Sequence, residues 1–211
     1  MIIKRFECLP LGTNAYLVMD ERTRDALVID PSINSTDKII QAAKSLNARI
    51  KYIVNTHGHF DHIWDNSKLK KETNAMIVCH KLDASKLKNP DLVLFKMPVL
   101  LRASEHDMLV GEEDRIKING ILFKIIHTPG HTKGGICLYE EKQQILFSGD
   151  TLFNGTYGRV DLPDSDEKEM KQSLKKLSKL PKDVKVYPGH GRETTIGDEL
   201  EWIEELSRTT C

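Results

Sequence analysis

Four short apolar runs in this chain each end in a glycine-containing turn that carries a histidine or an aspartate. The first run, Ile50-Lys51-Tyr52-Ile53-Val54-Asn55, leads into Thr56-His57-Gly58-His59-Phe60-Asp61-His62. It is apolar and β-branched and reads as a buried strand. The segment behind it packs three imidazoles and a carboxylate into positions 57 to 62, a density that core packing does not require. Side chains placed just past a strand end sit on a rigid support, and Gly58 is expected to let the backbone turn sharply between His57 and His59. This spacing lets His57 and His59 face one metal ion while Asp61 and His62 face a second. The pattern recurs. Ile121–Ile126 runs into Thr128-Pro129-Gly130-His131-Thr132, Ile145–Phe147 into Ser148-Gly149-Asp150-Thr151, and Val184–Val186 into Tyr187-Pro188-Gly189-His190-Gly191. Any fold for this chain has to bring these strand ends to one edge.

The donors in these turns are all His or Asp, with no Cys among them. A structural zinc site is normally a closed four-ligand set and often rich in thiolates, so this set points instead to an open catalytic centre. No GxSxG nucleophile motif is present, and metal-activated water would make one unnecessary. His80, His106 and His127 read as core histidines, although His127 is close enough to His131 in sequence to be a candidate for lining the centre.

The remaining elements alternate between strand and helix. Strands are expected at Ile2–Cys8, Ala15–Met19 and Ala26–Asp30. A helix is expected at Thr36–Leu46, capped by Ser35 or Asn34, with Ile39, Ala43 and Leu46 on its buried stripe. Another fits Asp166–Leu180, where Asp166 and Glu169 resemble a capping box, Met170, Leu174 and Leu177 repeat at helical spacing, and Pro181 ends the run. Asp198–Leu206 forms a last amphipathic stretch, and Lys68-Leu69-Lys70-Lys71 reads as a solvated helix face. The stretch Leu87–Asp107, with Pro90, Pro98 and an apolar cluster, is compatible with a packed helix, a substrate lid or a dimer contact. Alternating elements of this kind suggest two sheets back to back with helices outside.

Length and charge narrow the function. With 211 residues, 39% of them hydrophobic, the chain can bury a substantial core and is expected to be one domain, 1–211. Lys plus Arg is 31 and Asp plus Glu is 31, so no net charge favours nucleic acid or an anionic membrane surface. No apolar stretch approaches the roughly 20 residues of a membrane span, and the N-terminal residues Met1–Phe6 read as a strand start rather than a signal peptide. Cys8, Cys79, Cys137 and Cys211 lack paired spacing, so free thiols in a reducing cytoplasm are expected.

Taken together, HxHxDH at 57–62, TPGHT at 128–132, GDTLF at 149–153 and PGHG at 188–191 resemble the metallo-β-lactamase superfamily, most closely its compact glyoxalase II-like branch. The resemblance covers essentially the whole chain and implies an α/β fold, the αββα four-layer sandwich. Carried over by position, it implies His57, His59 and His131 on one metal, Asp61, His62 and His190 on the other, and Asp150 bridging them. It makes Asp30 an aspartate that orients a ligand rather than binding metal. The activity implied is that of a binuclear metal-dependent hydrolase, in which a metal-bridging hydroxide attacks a thioester or ester carbonyl, such as that of an S-acylglutathione. Asp61 would have a second role, orienting that water or shuttling its proton. Two divalent ions per chain are expected, Zn first, with Fe, Mn, Ni or a mixture as alternatives. The partner would be a small-molecule substrate, and the chain a monomer or homodimer.

The segment Asn154–Asp161 resembles the GRxD stretch of the small glyoxalase II-like and persulfide dioxygenase branches. There Arg159 and Asp161 suggest a structural ion pair, or Asp161 a partner for a ligand, and Tyr157 a pocket-lining residue, with direct substrate contact as the remaining alternative. The dioxygenase branch gives the alternative reading, a mononuclear iron enzyme using His57, His131 and Asp150. Three departures from the family pattern bear on substrate. Only residues 191–211 follow His190, too few for the basic helical extension that grips glutathione in full-length glyoxalase II. Trp64-Asp65 stands where small glycines are common, and Lys133-Gly134-Gly135 where a Pro-Gly-Ser type turn is usual.

Overall fold

Strand alternation sets the layers. In β2 (Thr13–Met19) every residue is buried, yet its side chains divide between two cores: Tyr16 and Val18 pack into one, and Ala15, Leu17 and Met19 into another. Such a strand has to lie inside a sheet covered on both faces. The same division holds in β3 (Asp25–Ile29), where Leu27 and Ile29 take one face and Ala26 and Val28 the other. The computed structural model describes residues 1–89 and 102–208.

The first sheet has the order β1-β2-β3-β4-β5-β6, with β1 at Ile2–Cys8, β4 at Arg49–Val54, β5 at Met76–His80 and β6 at Met108–Val110. Its β1–β2–β3 part is antiparallel and its β3–β4–β5–β6 part parallel. The second sheet runs β12-β11-β10-β9-β8-β7, with β7 at Arg115–Ile118, β8 at Ile121–His127, β9 at Ile136–Glu140, β10 at Ile145–Gly149, β11 at Lys185–Pro188 and β12 at Thr194–Thr195. Between the sheets lies a core containing Tyr16, Leu27, Val54, Phe123, Leu138, Phe147 and Tyr187. Tyr16 sits edge-on to Phe147 at 5.2 Å and to Tyr187 at 5.8 Å. Complete burial of a side chain such as Phe147 stabilises the fold by about 1.5–3 kcal/mol.

Helices cover the outer faces. On the first sheet lie α1 (Thr36–Ser45), α2 (Phe60–Ile63), α3 (Asn66–Thr73) and α4 (Ala84–Lys88), whose Ile39, Ala43, Ile63, Leu69 and Leu87 join Leu17, Val28 and Ile53. On the second lie α5 (Glu167–Leu177) and α6 (Ile196–Arg208), whose Met170, Leu174, Leu177, Ile196 and Ile203 pack on Leu146 and Val186. The four-layer αββα order expected from the sequence is therefore the observed one. Parallel β3 and β4, and the matching direction of β8, β10 and β11, bring the ends carrying Asp30, His57, His131, Asp150 and His190 to one edge.

Local expectations hold with corrections. Ser35 is the N-cap residue of α1, as expected, but the capping bond does not come from its side chain. The Asp65 carboxylate accepts from Thr36 N at 2.8 Å instead. Asp65 is thus part of the fold, which accounts for half of the Trp64-Asp65 departure. Only one arm of the capping box at α5 forms: Asp166 accepts from Glu169 N at 2.9 Å, but Asp166 N donates to Gly130 O rather than to Glu169. The helix ends at Leu177, three residues short of the expected Leu180, and α6 starts earlier than expected, at Ile196. In α3, Leu69 is buried, while Lys68 and Lys70 pair with Asp37 and Asp107 on the surface. Cys8, Cys79 and Cys137 are free and buried, and burial pushes the Cys79 thiol up to about 12 and the Cys137 thiol up to about 11. Cys211 and the whole apolar cluster in Leu87–Asp107 lie outside the described residues. Among those residues no helix is long and apolar enough to cross a membrane.

Candidate metal centre

All seven ligand candidates converge. Three overlapping groups have their donor atoms within 4.8 Å of one another: His57, His59 and His131; His57, His62 and Asp150; and Asp61, His62 and His190. His59 Nδ1 and His131 Nε2 are 2.8 Å apart, and His62 Nε2 and His190 Nε2 are 3.3 Å apart. Asp150 lies between the outer groups, with Oδ1 3.4 Å from His62 Nε2 and Oδ2 3.4 Å from His131 Nε2. Gly189 and Gly158 make room for it, since a Cβ at Gly189 would collide with Asp150 Oδ1 and one at Gly158 with Asp150 O. Gly58 is not in the left-handed region. Its missing side chain admits the stem of Lys86, whose Cβ would lie 2.7 Å from a Cβ at Gly58. The expected role for Gly58, a sharp turn, is therefore replaced by one of close approach.

Four of the five imidazoles are oriented through the nitrogen that faces away from the centre. His62 Nδ1 donates to Asp30 Oδ2 at 2.9 Å. Asp30 also accepts from Thr56 N at 2.7 Å and from Thr56 Oγ1 at 2.6 Å. With its proton committed to Asp30, the Thr56 hydroxyl accepts from His57 Nδ1 at 3.2 Å. His131 Nδ1 donates to Arg159 O at 2.8 Å, and His190 Nδ1 to Leu11 O at 3.2 Å. Such outer hydrogen bonds fix the tautomer that a ligating ring must have.

Electrostatics divide the centre. Burial, reinforced by His62, His59 and His131, holds the His57 imidazole well below its usual range. Burial and the neighbouring His131 push His59 down to about 2. Both rings are therefore neutral, the state in which imidazole binds metal. Burial alone would lower His62, but Asp61, Asp150 and Asp30 outweigh it and push the ring up to about 10. Burial would likewise raise the Asp61 carboxyl, but His62 and the hydrogen bonds from His190 and Thr13 hold it well below the carboxylate range.

The donor set fits a metal ion. His57 Nε2 and Asp150 Oδ1 are buried without a hydrogen-bond partner among the described residues, an arrangement that buried polar atoms avoid unless something else satisfies them. The two atoms belong to one of the convergent groups. Nitrogen and carboxylate donors suit Zn, Fe, Mn, Ni or Co.

Other predicted residues lie elsewhere. Arg159 and Asp161 form an exposed ion pair at 2.8 Å, and it is the Arg159 carbonyl, not the Asp161 carboxylate, that reaches His131. Tyr157 does not line the centre; it stacks on Trp202, rings 6.0 Å apart and 19° from parallel. His80 is buried and stacks at 4.2 Å on His127, whose Nε2 lies 2.9 Å from Lys133 O. His127 is only partly buried, and neither ring joins the centre.

Three residues at the centre were missed. Thr13 donates to Asp61 Oδ2 at 2.7 Å. Asn14 Nδ2 donates to Pro188 O at 3.0 Å and Gly191 O at 2.9 Å, holding the His190 turn. Buried Asp83 accepts from Gly58 N, Thr132 Oγ1 and Gly134 N, each at 2.8 Å. The one available signal was Gly134 in the unusual Lys133-Gly134-Gly135 turn, where a Cβ would stand 2.6 Å from Asp83 Oδ1. At the rim, Leu11 is 47% exposed beside His190.

A family model described as the metallo-beta-lactamase superfamily matches residues 8–190. An uncharacterised protein of Aquifex aeolicus is 39% identical over 201 residues, covering 94% of each chain. Hydroxyacylglutathione hydrolase GloC of Haemophilus influenzae is 32% identical over 190 residues, covering 88% of this chain and 89% of its own. Among solved structures, BLEG-1 B3 metallo-beta-lactamase superposes with a TM-score of 0.88 at 31% identity, covering 95% and 97% of the two chains. ETHE1 from Myxococcus xanthus gives 0.82 at 26% identity, covering 100% and 86%. TTHA1623 in a di-iron-bound form gives 0.83 at 31% identity, covering 94% and 97%.

Proposed function

The chain belongs to the metallo-beta-lactamase superfamily, and from that premise we propose that it is a binuclear metal-dependent hydrolase of thioesters or related esters. His57, His59 and His131 would hold one divalent ion, Asp61, His62 and His190 the other, with Asp150 shared. The observation that carries this reading is the convergence of three donor groups around two buried atoms that make no hydrogen bond among the described residues, His57 Nε2 and Asp150 Oδ1. Divalent ions held there would supply water acidic enough to ionise near neutral pH and an electrophile for the carbonyl oxygen.

The residues around the ligands have definable tasks. Asp30 keeps His62 Nε2 directed inward and, through Thr56, does the same for His57. Asp61 is anionic and anchored by Thr13, so it can orient a water or take its proton at a fixed position. His190 is the most open of the donors, with 26% of its side chain accessible, which puts the approach for substrate on its side. The likeness to hydroxyacylglutathione hydrolase GloC supports an S-acylglutathione as the first substrate to try, and the di-iron-bound relative supports iron beside zinc as the metal.

A second reading is a mononuclear iron persulfide dioxygenase using His57, His131 and Asp150. It is favoured by the 3.4 Å contact between His131 Nε2 and Asp150 Oδ2, with the His57 ring 4.9 Å from that of His131, a two-imidazole, one-carboxylate set of the kind that suits Fe(II). The likeness to ETHE1 is compatible with it. Elemental analysis of protein purified without added metal, with thioester-hydrolysis and oxygen-uptake assays on the same sample, separates the two. About two metals per chain with thioester turnover supports the hydrolase. One iron per chain with persulfide-dependent oxygen consumption replaces it with the dioxygenase.

A further inference from the structure

We propose that Asp83 is a positioning residue that sets the His57–His59–His131 half of the centre, independently of the other half. The proposal rests on the metal-binding reading above. Asp83 is fully buried and contacts none of the seven donors through its recorded hydrogen bonds. What it holds is the backbone around them. Its Oδ2 accepts from the amide of Gly58, the residue between His57 and His59, and from the hydroxyl of Thr132, next to His131. Its Oδ1 accepts from the amide of Gly134 in the same loop as Thr132. One carboxylate therefore ties together two loops that belong to different sheets. Charge-assisted bonds of this kind are among the strong ones, and with three donors supplied the buried charge is satisfied.

The support for Asp83 is itself rigid. Its amide donates to His80 O at the end of β5, its carbonyl accepts from Lys86 N, and buried Leu87 pins α4 to the core. A second tie runs over the same loops, since Lys86, packed across Gly58, forms an ion pair with Asp164 beyond the His131-bearing turn. Glycine at 58 and at 134 lets these parts approach each other. Asp83 and Lys86 make none of these bonds to Asp61, His62 or His190, which are held by Thr13, Asn14, Asp30 and Leu11 O, and the link between the halves here is the backbone bond from His62 N to His59 O at 3.0 Å. A wrong separation of the two loops would misplace His59 against His131, a pair now 2.8 Å apart, and leave the His62–His190 pair untouched.

Asp83→Asn preserves shape but presents an amide NH2 to at least one of three donors. The test places it in two backgrounds, His190→Ala and His59→Ala, each of which disables one half, and measures Zn(II) affinity by chelator competition. Asp83→Asn should weaken binding about 10–100-fold in the His190→Ala background and by less than about twofold in the His59→Ala background. Thr132→Val, which removes a single donor, should give a smaller loss in the same background only. Equal losses in both backgrounds, or none in either, would overturn the proposal. A readout on the metal-free protein stands apart from metal stoichiometry. Amide hydrogen exchange at Gly58 and Gly134 should accelerate about tenfold or more in Asp83→Asn, while Gly189, whose amide donates to Gly149 O at 2.8 Å, keeps its rate. Unchanged exchange at Gly58 and Gly134 would sink it. If the His190→Ala protein with Asp83 intact binds no metal, the two-metal reading fails, and the exchange measurement still decides the role of Asp83.

Discussion

The two halves of the metal centre are made of similar residues in opposite settings. The His57–His59–His131 half is buried, and its first two imidazoles are kept neutral by burial and by one another. Around His62 in the other half stand Asp30, Asp61 and Asp150, and His190 is partly open. One half gathers imidazoles held neutral; in the other, the carboxylates around His62 would favour a cation arriving from solution. Proximity of like ligands thus does not make equivalent sites, because the charge and exposure of the neighbours differ.

Experiments can sharpen or break this contrast. The largest effect is expected from Asp150→Ala, which removes the donor common to both halves. Hydrolysis should fall by more than about a hundredfold, with metal content below two per chain, beyond what losing an outer partner costs. Full activity with two metals retained would refute the shared role. Next come His59→Ala and His190→Ala. Each should cost one metal, but the buried half cannot recruit water as a substitute ligand as easily, so His59→Ala should lose about tenfold more affinity than His190→Ala. Equal losses would show that exposure does not distinguish the halves. Asp30→Asn is expected to reduce metal affinity by about 10–100-fold. Because Asp30 reaches His62 directly and His57 through Thr56, both halves should weaken, and an effect confined to one would make the Thr56 link inert. The smallest effect is expected for Arg159→Ala. His131 is held by the Arg159 backbone and the side chain is exposed, so metal content and turnover should stay within about twofold of the parent. A large loss in thioester KM alone would reassign that side chain to substrate contact.

What the sequence disclosed, and what it did not, follows from how local each signal is. His57, His59, Asp61, His62, His131, Asp150 and His190 each follow an apolar strand by a few residues, so the element and its passenger are visible in one short window. The layer order was legible from the alternation of elements and, more than that, from the family resemblance of the motifs, and burial of β2 and β3 on both faces bears it out. Asp83, Thr13 and Asn14 had no such window. Thr13 and Asp61 are 48 positions apart, Asn14 and Pro188 174, and a polar residue whose partner is that distant looks like any surface residue. The same reason explains why α1, with Ser35 at its N-cap as expected, takes its capping acceptor from Asp65, 29 residues away. The reading of Asp161 as a ligand partner went astray because a backbone carbonyl, that of Arg159, does the work, and carbonyls carry no residue signature.

Gly158 and Gly189 close around Asp150 so tightly that any side chain at either position would collide with it. This divides the mouth of the centre into ground that can vary and ground that cannot. A population of variants drifting toward a new substrate, in the laboratory or in nature, has almost nothing to explore at those two positions. Its freedom lies instead at exposed positions such as Leu11, whose carbonyl holds His190 while its side chain faces solvent. The chemistry of the centre can then persist while the molecules brought to it change.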